Sequence, residues 1–144
     1  MFSKACEYAI KASIYVASQS LEDKRVTLKD IAAEIDSPVA FTAKILQQLV
    51  RDDIMQSTMG PTGGFQIEKS RIDVIRLAEI VHAIDGDEIF TRCGLGLKQC
   101  NAKKPCPVHD KFSVIRDDLR RVVGNINLFE LASGLYVGLT FIKR

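Results

Sequence analysis

The chain is 144 residues long and 47% apolar, with 20 Lys and Arg against 18 Asp and Glu for a formal net charge of +2. That length and apolar share suit one domain with a full core, and the weak charge permits a nucleic-acid partner without demanding one. Seven Phe, three Tyr and no Trp are too few for a base-stacking single-strand platform, and no run is long and apolar enough to span a membrane.

Residues 4–19 predict a helix. Ser3 can cap it, and Tyr8, Ala12, Tyr15 and Val16 recur at helical spacing. Cys6, in its first turn, is expected to be a small buried hydrophobe. Glu7 beside it ordinarily just complements the helix dipole. Met1-Phe-Ser-Lys-Ala lacks the apolar run of a secretory leader, so a cytoplasmic setting is expected. A polar loop follows, and then Thr27-Leu-Lys-Asp30 has the pattern of a capping box. It opens a short helix with Leu28, Ile31, Ala32 and Ile35 on one face. Asp36-Ser37-Pro38 breaks that helix. Ser37 is expected to cap the next one, with Pro38 in its first position. This second helix runs to about Asp52 and is expected to bury Phe41, Ile45, Leu46 and Leu49.

Two short helices joined by a tight turn have the form of a helix-turn-helix, although an ordinary helical hairpin fits the pattern equally well. In a DNA-binding unit the second helix enters the major groove with its N-terminal residues against base edges. Here these are Val39, Ala40, Ala43 and Lys44, whose small or apolar side chains suit close approach and contact with a thymine methyl. Strands over 54–58 and 65–68, around the turn Met59-Gly-Pro-Thr-Gly-Gly64, predict a β-hairpin. Helix, turn, helix, hairpin is the order of a winged helix. Gly60, Gly63 and Gly64 are expected to let the wing tip approach a phosphate backbone. The candidate DNA contacts are thus Pro38, Val39, Ala40, Ala43, Lys44 and Gln47 on the helix, and Met59, Gly60, Pro61, Thr62 and Gly63 on the wing. Residues 38–68 are not basic, because Asp52, Asp53 and Glu68 offset Lys44 and Arg51. Phosphate contacts would come partly from backbone N–H groups, or from Lys4, Lys11, Lys24, Arg25 and Lys29.

Residues 73–85 predict another helix, with Val74, Leu77, Ala78, Val81 and Ile84 apolar and Gly86 as its stop. His82 reads as a surface or packing histidine. A long helix is expected over 108–123, with Phe112, Ile115, Leu119, Val122 and Val123 along one side and Gly124 at its end. It has nothing obvious to pack on, so a homodimer through this helix is predicted. The tail from Leu128 to Arg144 is apolar enough to dock as a short helix and closing segment. The fold class is therefore mainly α with a small β-hairpin wing: a winged helix-turn-helix (1–86), followed by a cysteine loop, dimerisation helix and tail (87–144).

Three of the four cysteines, Cys93, Cys100 and Cys106, lie in the connector before the long helix, and His109 follows three positions later. Glycines, lysines and prolines surround them, so the segment has little means of building a core, and long loops of this kind are usually functional or disordered. Thiolates with one imidazole suit zinc or an iron–sulfur cluster, and spacing alone does not choose between them. A cytosolic setting disfavours the alternative of a structural disulfide. There is no nucleophile–base pairing, paired catalytic carboxylates or phosphate-cradling loop, so no enzyme activity and no small-molecule substrate is expected.

Several stretches together resemble one family. Glu7-Tyr-Ala-Ile-Lys-Ala, Phe41-Thr-Ala-Lys-Ile-Leu-Gln-Gln-Leu, Gly60-Pro-Thr-Gly-Gly-Phe65 and the later cysteines are similar to the IscR/NsrR/CymR group of bacterial transcriptional regulators, over essentially the whole chain. The resemblance implies a dimeric winged helix-turn-helix on palindromic double-stranded promoter DNA. Its three-cysteine members hold an iron–sulfur cluster. In the iron–sulfur regulators a His three positions after the last Cys matches His109, and the cluster is 2Fe–2S. The nitric-oxide-sensing branch instead uses an acidic residue before the first helix's Tyr, reaching across the dimer, and Glu7 of the partner chain would supply it. Both fourth ligands are present; imidazole is local and an attested cluster ligand. The chain departs from the pattern in a six-residue first cysteine gap, in Met59 where a basic residue is common, and in Ala43 where a polar one is common.

The expected function is a transcriptional regulator whose operator affinity follows the state of a 2Fe–2S cluster, with oxidation or nitric oxide as natural signals. The alternatives are a 4Fe–4S cluster, a zinc-stabilised protein-interaction module, or a regulator of the same family without a cluster.

Overall fold

The structure, a computed structural model, describes all 144 residues. Helix α1 (Lys4–Ser20) is its hub. Ser3 caps it, its hydroxyl accepting from the Cys6 N–H at 3.0 Å. The buried face of α1 carries Ala9, Ala12, Ser13, Val16 and Ala17. Such short side chains let several helices approach one axis closely. Helices α3, α5 and α8 all pack there.

Helix α2 (Leu28–Glu34) starts at the expected capping box: Thr27 Oγ1 accepts from the Asp30 N–H at 3.2 Å, and the Asp30 carboxylate accepts from the Thr27 N–H at 3.4 Å. Asp36, at φ 52°, turns the chain into α3 (Val39–Arg51); a short polar side chain tolerates that left-handed conformation. The entry to α3 differs from the expectation. Pro38 is itself the extended cap rather than the first helical residue, and Ser37 makes no cap bond. The Ser37 hydroxyl meets the Thr42 hydroxyl instead, and Thr42 donates to the Pro38 carbonyl at 2.8 Å. Thr42, with its polar atom satisfied, therefore takes the core position. Phe41 stays 36% exposed and stacks edge-on against Tyr8, ring centroids 5.7 Å apart.

Strands β1 (Gln56–Thr58) and β2 (Gly64–Gln66) form the antiparallel hairpin, with Ser57 opposite Phe65. Both are shorter than expected, because Ile54, Met55 and Ile67 leave the hairpin to enter the core. Phe65 also bridges Val26. That third partner explains Gly64, and the turn's own backbone explains Gly63. A Cβ at Gly64 would lie 2.7 Å from the Val26 carbonyl oxygen, and one at Gly63 would lie 2.1 Å from that of Thr58. The wing's own packing thus needs glycine at both positions before any DNA approaches.

Helix α4 (Lys69–Ile72) is a single turn that the apolar spacing did not reveal. Helix α5 (Leu77–Asp85) begins four residues later than expected, leaving Val74 exposed. The reason is a local cap: the Glu79 carboxylate accepts from the Arg76 N–H at 2.7 Å, while Ile75 and Leu77 exchange backbone bonds with Leu128 and Ile126. Gly86 ends α5, and another unforeseen turn, α6 (Glu88–Thr91), follows. The long helix α7 spans His109–Asn125 and the docked tail helix α8 spans Leu128–Tyr136.

The main core joins Ile31, Ile35, Leu46, Leu49, Ile80 and Leu128, so α8 is sealed into the helix-turn-helix unit through α1. A smaller cluster of Cys6, Val81, Phe90 and Val123 fixes the inner side of α7 against α1, α5 and α6. The apolar residues of α7 consequently divide between two directions. Val123 is 1% exposed, whereas Ile115 is 58% and Val122 52% exposed. No helix is long and apolar enough to cross a membrane.

Burial of Cys6, reinforced by the charge of Asp85, pushes its thiol up to about 12. The folded chain therefore holds this proton more tightly than the unfolded one, and stability linked to it declines as pH rises from the ordinary thiol range towards 12. In metal-free protein at mildly alkaline pH, iodoacetamide is expected to modify Cys100 and Cys106 and to spare Cys6 until denaturant is added. Peptide mass spectrometry checks this.

Candidate functional site

The expected recognition surface lies on α3 and the wing. Pro38, Val39, Ala40, Lys44 and Gln47 are exposed along α3, and Ala43 is half-buried. On the wing, Met59 is 93% exposed, Gly60, Pro61 and Thr62 are exposed, and Gly63 is half-buried. Gln47 and Met59 line one groove of about 330 Å³ between helix and hairpin, with Val50 and Phe65 in its wall. The two expected DNA elements thus share one face.

The fold also supplies positive charge beside the wing. Lys24 and Arg25 line a cleft with Thr62 and Gly63. Arg25 reaches the hairpin through Gln66, its Nε donating to Oε1 at 3.1 Å. Lys24 is paired with Glu22 at 2.7 Å. Two other candidates have partners within the chain. Lys11 donates to the Ile35 carbonyl at 3.3 Å and lies over the Tyr8 ring, and Lys4 pairs with Glu7 at 3.3 Å. His82 stays on the surface, its Nδ1 2.9 Å from Asp87.

The cysteine segment runs from the end of α6 to the start of α7. Cys93, at that first end, is buried; Cys100 and Cys106 are half-buried. The loop is held against α7 by close packing: a Cβ at Gly94 would lie 2.6 Å from the Phe112 ring. Four donors stand as two pairs. Cys93 Sγ is 3.8 Å from Cys106 Sγ, and Cys100 Sγ is 3.3 Å from His109 Nδ1. No three or more His, Cys, Asp or Glu side chains converge closely enough to hold a single metal ion. Glu7, the other candidate ligand, lies on α1 in its ion pair with Lys4.

The surroundings of the sulfurs favour negative charge. The Leu95 N–H donates to Cys93 Sγ at 3.4 Å. Backbone N–H groups of Leu95 and Leu97 hold the Cys93 thiol below its ordinary range. Residues 92–106 contain Arg92, Lys98, Lys103 and Lys104 and no acid. Cys106 sits just before the N-terminus of α7, where the helix dipole favours an anion. Arg116 of α7 donates to Cys100 Sγ at 3.2 Å, a partner that the sequence did not reveal. An open cleft of about 610 Å³ is lined by both Cys93 and Cys100.

Comparison with known proteins bears on the family and the fold. The family model described as "Rrf2: Iron-dependent Transcriptional regulator" matches residues 2–134. The HTH-type transcriptional regulator IscR of Photorhabdus laumondii is 27% identical over 126 residues, covering 88% of this chain and 75% of that one. Among solved structures, CymR, the global cysteine regulator of B. subtilis, superposes with a TM-score of 0.74 at 19% identity, covering 92% of this chain and 96% of that one. IscR of T. potens gives 0.73 at 16% identity, with 97% and 91% covered. At those identities the two structures speak for the fold alone.

Proposed function

The chain belongs to the Rrf2 family of transcriptional regulators, which are DNA-binding proteins and not enzymes, and from that premise we propose that it binds palindromic promoter DNA as a cytoplasmic homodimer whose affinity is set by an iron–sulfur cluster. The carrying observation is the pairing of donors in the cysteine loop. A 2Fe–2S cluster has two irons, each taking two protein ligands. Cys93 with Cys106, and Cys100 with His109, divide in that way without any set of four around one ion. The 2Fe–2S form therefore fits better than zinc, which takes its ligands tetrahedrally around a single ion. His109 fits better than a partner's Glu7, because its ring already meets Cys100. When bound, the cluster would supply a redox- and nitric-oxide-reactive centre. The chain's own part is to hold the sulfurs, surround them with N–H donors and cations, and link them to α7.

In the proposed dimer, Ile115 and Val122 of α7 face their counterparts, while the inner face of α7 grips the winged unit through Val123. The loop and the spacing of the two recognition helices then lie on one mechanical path. Anaerobically purified protein, compared with the same protein after iron chelation, tests the reading. Visible absorbance, iron and sulfide in near-equal amounts, and operator affinities that differ between the two preparations are expected. Zinc in place of iron, or identical affinities, would remove the cluster from the function.

On the DNA side, Lys44 is exposed on α3 and is expected to meet a phosphate. Lys44→Ala should weaken binding similarly for operator and unrelated DNA, and lower the salt slope of affinity by about one. Fluorescence anisotropy across a salt series measures it.

A further inference from the structure

Arg116 is a cation of the cysteine site that the expected ligand set does not use. It is half-buried on α7 and its guanidinium spans the loop. Nη1 donates to the Arg92 carbonyl at 2.7 Å, next to Cys93, and Nη2 donates to Cys100 Sγ at 3.2 Å. One side chain thus touches the backbone beside one donor pair and the sulfur of the other. A planar guanidinium holds two such bonds at once, which a lysine ammonium on a flexible stem does poorly. The neighbouring arginines are engaged elsewhere: Arg120 with Asp117 and the Phe90 carbonyl, Arg121 with Asp118.

We propose that Arg116 is a positioning residue that fastens Cys100 to the dimer helix and tunes the centre held there. This rests on the cluster reading given above. Hydrogen bonds and positive charge beside a ligating sulfur stabilise the more negative, reduced cluster and so raise its potential. The same two bonds make Cys100 move with α7, so a change in the centre is felt by the helix that spaces the recognition surfaces.

The test uses full-length protein, reconstituted anaerobically with iron and sulfide, in four forms: wild type, Arg116→Gln, Arg116→Lys and Arg121→Gln. In Arg116→Gln the midpoint potential is expected to move to more negative values, and iron retention against a chelator to fall about tenfold. Arg116→Lys, which keeps the charge without the fork, should fall between it and the wild type. Arg121→Gln should match the wild type. Circular dichroism confirms that each variant is folded, and the Lys variant carries the test if the Gln variant is not. Wild-type potential and retention in the folded Arg116 variants, with a cluster present, would overturn the role of Arg116 and leave the cluster standing. A wild-type chain that takes up no iron and sulfide would overturn both.

Discussion

Ile115→Glu is expected to dissociate the protein into monomers and to weaken operator binding by about 2 kcal/mol or more, roughly thirty-fold. Ile115 and Val122 stand one heptad apart on α7 and project away from the winged unit, each more than half exposed. A lone helix face of that kind leaves apolar surface in water unless a second copy covers it. A carboxylate at its centre would be desolvated without a partner when two copies meet, so association fails while the monomer's own core is untouched. Operator binding falls with it, because two half-sites are then read by separate molecules. Sedimentation velocity at micromolar concentration reports the assembly state, and anisotropy on an operator fragment reports the affinity. Val122→Glu should repeat the result. A dimer of unchanged stability in both variants would mean that α7 is not the interface.

The second large effect concerns the sulfurs. Cys93→Ala, Cys100→Ala and Cys106→Ala are each expected to abolish stable iron and sulfide binding, whereas Cys6→Ala leaves it intact. The first three remove one donor from a pair in the loop; Cys6 lies in the cluster between α1 and α7, fully buried. Loss of the centre should shift operator affinity by roughly 5–150-fold, the usual range for coupling between two sites. The direction of the shift says whether the filled or the empty form is the tighter binder. Iron and sulfide assays with a parallel DNA titration measure both. Retention of a full cluster in any of the three single variants would show that the missing sulfur is not a ligand.

Much of the fold was legible because its signals are short-range. Ser3, the Thr27–Asp30 box and Gly86 each act through one turn of backbone, so a local pattern suffices to place a helix end. The hairpin was visible through its Gly/Pro turn, and the long helix through its apolar repeat. The failures share a cause as well. Helices α4 and α6 have four residues each, too few for a 3.6-residue period to register. The late start of α5 depends on backbone bonds from Leu77 to Ile126 and from Leu128 to Ile75, which link segments some fifty positions apart. Thr42 rather than Phe41 takes the core position because its hydroxyl is satisfied by the Pro38 carbonyl, a partner that side-chain size and apolarity do not reveal.

The same division runs through the site. The residues on which the proposal rests were already written in the chain: three thiols and an imidazole in a cationic loop, small residues on α3, a glycine-rich hairpin turn. Side-chain type and local spacing decide those matters, and they need no tertiary context. Which sulfur stands beside which donor was decided only by the packing of α6 against α7. That packing brings Cys93 to Cys106, Cys100 to His109, and Arg116 to Cys100. The Val26–Phe65 bridge likewise puts Arg25 beside the wing, and the cluster of Cys6, Val81, Phe90 and Val123 turns Val123 in while Ile115 faces out. Contacts between residues far apart in the chain depend on how whole helices settle against a shared core, and a one-dimensional pattern carries no distance across that core.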